Sequence, residues 1–308
     1  MGKYIVRRLL QMIPVIFGTM FIIFAMVFAL PGDPTAGKCG ERPCPDAYIA
    51  EYRAKYNLDD PLPIRYAKYL GQVAKGDLGT NQYGVKVTED LSKRYKVTGQ
   101  LALMAVATEI VIGIAAGILA GIRRGRFIDN LVLVSTLVVI SIPVFVIGSV
   151  LQYFLGVRAG WFPVTVSSEA TTYELLLPAI VLGSLSVAYI ARLTRSNLVE
   201  NLRADYVRTA IAKGLTKRRA IGLHALRNSM IPVITFIGFD FGSLLGGAIV
   251  TERIFNIQGI GGYIFRSIQL RDGVAVVGAV TALVIVFLFV NLIVDLLYGV
   301  LDPRISHD

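Results

Sequence analysis

The stretch DYVRTAIAKGLTKRRAIGLHALRNSMIP, residues 205–232, leads from one hydrophobic segment, 174–192, into another, 230–250. Each neighbour is long enough to cross a membrane, whereas this stretch is too charged to do so and too regular for a plain connector. Residues 204–213 contain neither proline nor glycine and are predicted to form about three helical turns, with Asp205 near the positive end of the helix dipole. Tyr206, Ala210 and Lys213 fall on one face of that helix. Gly214 then supplies the backbone freedom of a sharp turn. Thr216 is placed to cap a second helix running through Arg219 and Ala220 towards Asn228, and Pro232 to open the next span. The small side chains of Ala210 and Ala212 beside Gly214 allow another surface to approach closely. From the residues alone two readings stay level: a docking element, or a basic loop that fixes topology and meets anionic headgroups.

A membrane is the frame because 55% of the 308 residues are hydrophobic and 17% charged, with mean hydropathy +0.63. Soluble domains rarely reach that balance. Apolar runs at about 9–30, 98–122, 131–156, 174–192, 230–250 and 274–300 read as six spans. Lys3, Arg7 and Arg8 precede the first run like the start of a signal peptide, but the run is too long for a cleaved signal and no clear A-x-A site follows. The fold class expected is therefore all-α: a polytopic membrane protein with six transmembrane helices.

The formal net charge of +10 matters less than where the charges lie. Arg123, Arg124 and Arg126 crowd the loop at 123–130 against Asp129, and 157–173 carries only Arg158 against Glu169. Nine basic residues, at 192, 195, 203, 208, 213, 217, 218, 219 and 227, outweigh Glu200 and Asp205 in segment 192–229. The excess of Lys and Arg on the cytoplasmic side then places both termini, the loop at 123–130 and the opening stretch inside the cell membrane. Segment 31–96 is nearly balanced and long enough to translocate regardless of charge. It is expected to hold two helices, in PDAYIAEYRAKYN and PLPIRYAKYLGQVAKG. In the second, Tyr66, Tyr69, Leu70 and Val73 share a face and Gly76 sits where a C-cap belongs. That face suits packing on the spans and contact with a partner protein equally well. The division expected is 1–30 for the N-terminal segment and first span, 31–96 for an extracytoplasmic helical segment, and 97–308 for a core with five spans.

Catalytic chemistry finds no support. There is no G-x-x-x-x-G-K-[ST] for a nucleotide phosphate and no H-E-x-x-H, and neither histidine, His224 nor His307, lies in a span. Metal ligands are too few for a structural zinc site, so no metal or other cofactor is expected in this chain. Gly259, Gly261 and Gly262 read as close backbone packing or a turn. Cys39 and Cys44, spaced as CGERPC, form a local disulfide if their loop faces the oxidising side; the alternative is two free thiols. Glu109, Asp240 and Asp295 fall in apolar spans, where a carboxylate needs a partner or a watery path. Each reads either as an interhelical hydrogen bond or as the lining of a route through the membrane. Pro143, in SIPVFVIG after Ser141, marks a bend that suits a pore or hinge as well as a static kink.

The opening stretch resembles the cytoplasmic "EAA" loop of ABC importer permeases, with its small-residue patch, its glycine and its distal hydrophobic-Pro ending. The chain more closely resembles B-type permeases of the dipeptide/oligopeptide family, through YIVRRLLQMIPVIFGTMFIIFAMVFALPGDP, YNLDDPLPIRYAKYLGQVAKGDLG, SIPVFVIGSVLQYFL, GGAIVTERIFNIQGIGGYIFRSIQLRD and LDPRI. Ile211 stands where a basic residue is common, Lys96 and the RDG at 271–273 depart from frequent prolines, and CGERPC belongs to an insertion outside the general pattern.

The resemblance implies a type I importer fold, with a cytoplasmic coupling loop at 193–229 that docks a helix on an ATPase subunit. It further implies a complex with a homologous second permease, two ATPase subunits that bind ATP and Mg, and an extracytoplasmic substrate-binding protein. The chain itself would hydrolyse nothing. Asp205, Tyr206, Ala210, Lys213 and Gly214 are the coupling candidates; Ser141, Pro143 and Asp240 are the pathway candidates. The implied cargo is di- or oligopeptides, with nickel chelates or glutathione as alternatives within the family. A self-contained secondary transporter is the competing class.

Overall fold

The computed structural model describes residues 2–29 and 44–301, without the side chains of 2–5, 295 and 297–301. Cys39, Asp295 as a side chain and the LDPRI end beyond Leu301 therefore lie outside the described residues. The chain opens with α1 (Gly2–Phe28), then α2 (Asp46–Lys55) and α3 (Leu62–Ala74). Helix α4 (Val87–Thr108) runs through a π-helical turn, Glu109–Gly113, into α5 (Ile114–Ile122). Next come α6 (Phe127–Ser141), α7 (Val144–Leu151) with a π-helical extension to Arg158, and α8 (Thr172–Asn201). Helix α9 (Asp205–Ala212) is followed by α10 (Lys217–Ala220), a π-helical turn Ile221–Leu226 and α11 (Arg227–Ile254). The chain then forms α12 (Ile260–Gln269) and α13 (Gly273–Leu301). Among the described residues there is no strand beyond a single bridge between Thr80 and Lys86.

Five helical runs are long and apolar enough to cross a membrane: Val6–Phe28, Val87–Ile122, Thr172–Asn201, Lys217–Gly246 and Gly273–Val294. The remaining expected span, the third at 131–156, is not one rod. It is broken into Phe127–Ser141 and Val144–Arg158, which bend by 105°. Proline is the cause: it lacks an N–H and drives the residue before it out of the helical region, and Ile142 is extended at φ −103°, ψ 128°.

Two further expectations change. The fourth span starts at Thr172 and continues to Asn201, because Thr171 and Glu174 form a reciprocal capping box that fixes its start. The helix after Thr216 does not stop near Asn228 but continues through the π-helical turn into α11, so Pro232 lies inside a helix rather than opening one. The glycines around 260 sit at the start of α12, with Gly259 as its N-cap.

The chain divides into two compact units, Met1–Thr98 with Gln258–Asp308, and Gly99–Ile257. In the first, α1 packs along α13, and α3 lies on α1. The tyrosine face anticipated on α3 does the packing: Tyr69 stacks on Phe24 at 5.3 Å and Tyr66 meets Phe21 edge-on at 5.2 Å. Tyr66 donates a hydrogen bond to the Phe17 carbonyl at 2.6 Å, and Tyr69 donates to Thr281 Oγ1 at 2.8 Å. Burial pushes the Tyr69 phenol up to about 12, so it stays neutral and keeps that proton. Gly76, at φ +78°, closes α3 as expected, its N–H on the Val73 carbonyl and that of Asp77 on Gln72. A buried cluster of Leu78, Val87, Leu91, Ile260, Tyr263, Ile264, Ala275 and Ala279 fills the core of this unit.

In the second unit α8 is the central helix, packed on by α5, α6, α7 and α11. Gly113, Gly117 and Gly121 recur every fourth residue and face Ile190, Thr194 and Leu198 of α8, one glycine per turn. A Cβ on Gly117 would stand 2.6 Å from the Ala191 carbonyl and 2.5 Å from Thr194 Cβ, so backbone meets backbone there. Apolar helices gain little hydrophobic advantage from associating inside lipid, and close approach of this kind is what holds them. Gly117→Ala is expected to cost about 1–3 kcal/mol through overpacking. Gly71→Ala, where nothing lies within 4 Å, serves as the control and should cost nothing. Thermal denaturation of the detergent-purified protein reads the difference, and equal melting of the two variants would contradict the contact.

Candidate functional site

Two regions carry the residues singled out from the sequence, both within the second unit. The first is α9 with its exit turn. Val207 is buried in a cluster with Leu198, Ala220 and Ala225, against which Ile118, Leu202 and Leu215 also pack. That anchored back leaves the other side free: Asp205, Tyr206, Arg208, Thr209, Ile211, Ala212 and Lys213 are exposed, and Ala210 is half-buried. The five coupling candidates are therefore brought together on one short helix and its cap. Gly214 has φ +95°. Its N–H bonds the Ile211 carbonyl at 2.9 Å and the Leu215 N–H bonds Ala210 at 3.1 Å, the paired closure of a glycine-terminated helix. Leu215 then drops into the cluster under Val207.

A polar chain ties this helix to two others. Tyr206 donates its hydroxyl hydrogen to Asn201 Oδ1, at the end of α8. Asn201 Nδ2 in turn donates to Ser229 Oγ of α11 at 3.1 Å and to the Asn197 carbonyl at 2.9 Å. Asn201 and Ser229 were not anticipated. Their signal was weak, because each sits among other polar residues at a helix end and nothing local pairs the two across 28 positions.

Deeper in the same unit, Asp129 makes a paired, charge-assisted contact with Arg195 of α8 and accepts the Gly125 N–H at 2.8 Å. Asp129 is 2% exposed and Arg195 20%, so this is an interior ion pair that locks the turn before α6 onto α8. Both residues had been counted only as loop charges.

The second region is a cavity of about 550 Å³ between α7, α8 and α11. Of the pathway candidates only Asp240 is among its lining residues; Val144 and Phe145, immediately after Pro143, also line it. Ser141 instead returns its hydroxyl to the Leu137 carbonyl of its own helix at 2.8 Å. Asp240 Oδ1 accepts from Ser243 Oγ at 2.9 Å. Behind it, Glu109 is fully buried at the π-helical turn, faces the Asp240 carboxyl and rests against Gly183 of α8. π-helical turns of this kind are frequent at functional positions. Tyr189 and Phe236, whose rings lie 6.2 Å apart, also border the cavity. They had escaped notice because α8 and α11 are apolar on most sides and show little periodic contrast. Among the described residues no cluster of potential metal ligands occurs.

Comparison with known proteins gives both regions a context. Residues 113–307 match the family model described as binding-protein-dependent transport system inner membrane component, and residues 1–87 match the N-terminal model of such membrane components. The chain is 36% identical over 334 residues to the dipeptide transport system permease protein DppB of Alkalihalophilus pseudofirmus, covering 100% of both chains. It is 37% identical to DppB of Escherichia coli strain K12, covering 100% of this chain and 99% of that one. The glutathione transport system permease protein GsiC of Pectobacterium atrosepticum is 35% identical over 308 residues, again covering 100% of both chains.

The Tyr206–Asn201–Ser229 chain gives a direct test of how α9 is held. Asn201→Ala removes its hydrogen bonds, each worth about 1 kcal/mol, and amide exchange over 205–215 should rise about tenfold while membrane insertion is unchanged. Unchanged exchange would show that the Val207 cluster alone holds the helix.

Proposed function

This chain belongs to the binding-protein-dependent transport system inner membrane component family and is a multi-pass permease subunit of an ABC importer, and we propose that its cargo is a di- or oligopeptide. The relatives named for dipeptide transport, matched end to end, carry that reading. A second reading, glutathione, is supported by the comparable identity to a permease named for that tripeptide. Family membership displaces the self-contained secondary transporter.

In the proposed arrangement both termini, the 123–130 loop and α9 face the cytoplasm, and Cys39 and Cys44 are bonded in the outer segment. The partners are a homologous second permease, two ATPase subunits that bind ATP and Mg, and an extracytoplasmic binding protein. This chain contributes half of the pathway and no catalytic group. The observation that supports a coupling role is the exposed outer face of α9 above an anchored back. A helix held in this way can pass a push from an ATPase groove into α8 and α11 rather than absorb it by swinging. Asp205, Tyr206, Ala210 and Lys213 form the contact, with Gly214 setting the angle.

Gly214→Pro is expected to break the cap, since proline supplies neither the positive φ nor the N–H used there. Ala210→Trp should block close approach. Both variants should insert and assemble, yet lose peptide uptake into proteoliposomes more than tenfold while ATP hydrolysis continues. Uptake at the unmodified rate would remove α9 from the coupling role. Cargo is read separately, by comparing ATP-driven uptake of dialanine and of glutathione by the complete importer with its own binding protein.

A further inference from the structure

The cavity beside Asp240 has a one-sided chemistry. Beyond Asp240, its polar lining consists of hydroxyls on Ser186, Tyr189 and Ser243, and the rest is apolar. Among the described residues that line it there is no lysine or arginine. Glu109 is 0% exposed and lies directly behind Asp240, carboxyl against carboxyl, and no other group donates to its oxygens or to Asp240 Oδ2. Two carboxyls in contact in apolar surroundings share a proton, so the pair holds one negative charge, and Ser243 is the other donor among the described contacts. The one negative charge that remains meets no cation among the lining residues, and low-dielectric walls focus its field into the open space beside Asp240. That space has the size of a small-ligand site. Tyr189 and Phe236, which also line it, are aromatic residues of the kind whose π-faces attract ammonium groups.

We propose that Asp240, backed by Glu109, forms an ammonium subsite in this cavity, where the free amino terminus of the substrate rests in transit with its first side chain against Tyr189 and Phe236. The inference rests on the peptide-import reading and adds an orientation to it: the amino end, not the carboxylate end, occupies this half of the pathway. Glu109 acts as a positioning residue: it shares the pair's proton and so holds the Asp240 carboxylate towards the cavity, without touching the cargo.

The test uses the assembled importer carrying Leu185→Cys, a half-buried cavity position outside the acid pair, with the parent complex as blank. The thiol is labelled in parallel with a cationic aminoethyl and an anionic sulfonatoethyl methanethiosulfonate. The cationic reagent should react preferentially, the preference falling about tenfold in Asp240→Asn and returning in Asp240→Glu. Glu109→Gln should lower it by a smaller factor. Dialanine at millimolar concentration should slow the labelling and N-acetyl-dialanine should not. An unchanged preference in Asp240→Asn, or equal protection by the two peptides, overturns the subsite. Failure of the peptide reading itself shows differently, as absence of ATP-driven dialanine uptake by the unmodified importer.

Discussion

The contact on which the second unit depends is the approach of α5 to α8 along Gly113, Gly117 and Gly121. Three turns of backbone lie so close that a single methyl at Gly117 would meet the Ala191 carbonyl. In lipid this matters more than it would in water, because apolar side chains gain nothing by leaving one hydrocarbon for another. With α8 seated there, its other faces become available to α6, α7 and α11, and its two ends acquire roles. Gly183, one turn before that contact begins at Val187, leaves room for Glu109. Arg195, beside Thr194 in the contact, reaches Asp129. Asn201, at the last turn, holds Tyr206 and Ser229.

That arrangement connects the surface helix α9 to the helices that border the cavity. The exposed helix α9 is bound through Asn201 to the end of α8 and through Ser229 to the start of α11, and the same two helices border the cavity at Tyr189, Phe236 and Asp240. In the proposed coupling role, a displacement at α9 would pass through Asn201 to α8 and α11, the helices that border the cavity. The π-helical turn at Ile221–Leu226 lies where α10 passes into α11, and it is the irregular point on that route.

Much of this was legible in the residues for physical reasons that differ from element to element. The spans were readable because hydrocarbon demands long apolar runs, and α9 was readable because two charged ends and Gly214 bound it on either side. The tyrosine face of α3 was visible as a helical stripe, although only the structure shows it packed on α1 and α13. What stayed hidden was polar pairing between distant helices. Asp129 and Arg195 look like ordinary loop charges until α6 and α8 are set side by side, 66 positions apart in sequence. The glycine series at 113, 117 and 121 was present as a small-x-x-x-small pattern, but a pattern of that kind does not name the helix it meets.

The break at Pro143 and the acid pair show why the cavity forms where it does. A straight third span would run α7 on along the line of α6; the 105° bend turns it away and brings Gly148 against Val181 and Ile254. Gln152 then fixes the new direction by donating to the Val164 and Ile254 carbonyls at 2.7 and 3.0 Å. Val144 and Phe145, the first residues after the break, close one side of the space that Asp240 enters from the other. An acid placed in an unbroken apolar bundle would need a permanent partner. Here the bend leaves open space in front of Asp240, and the charge can be answered by a passing cation instead.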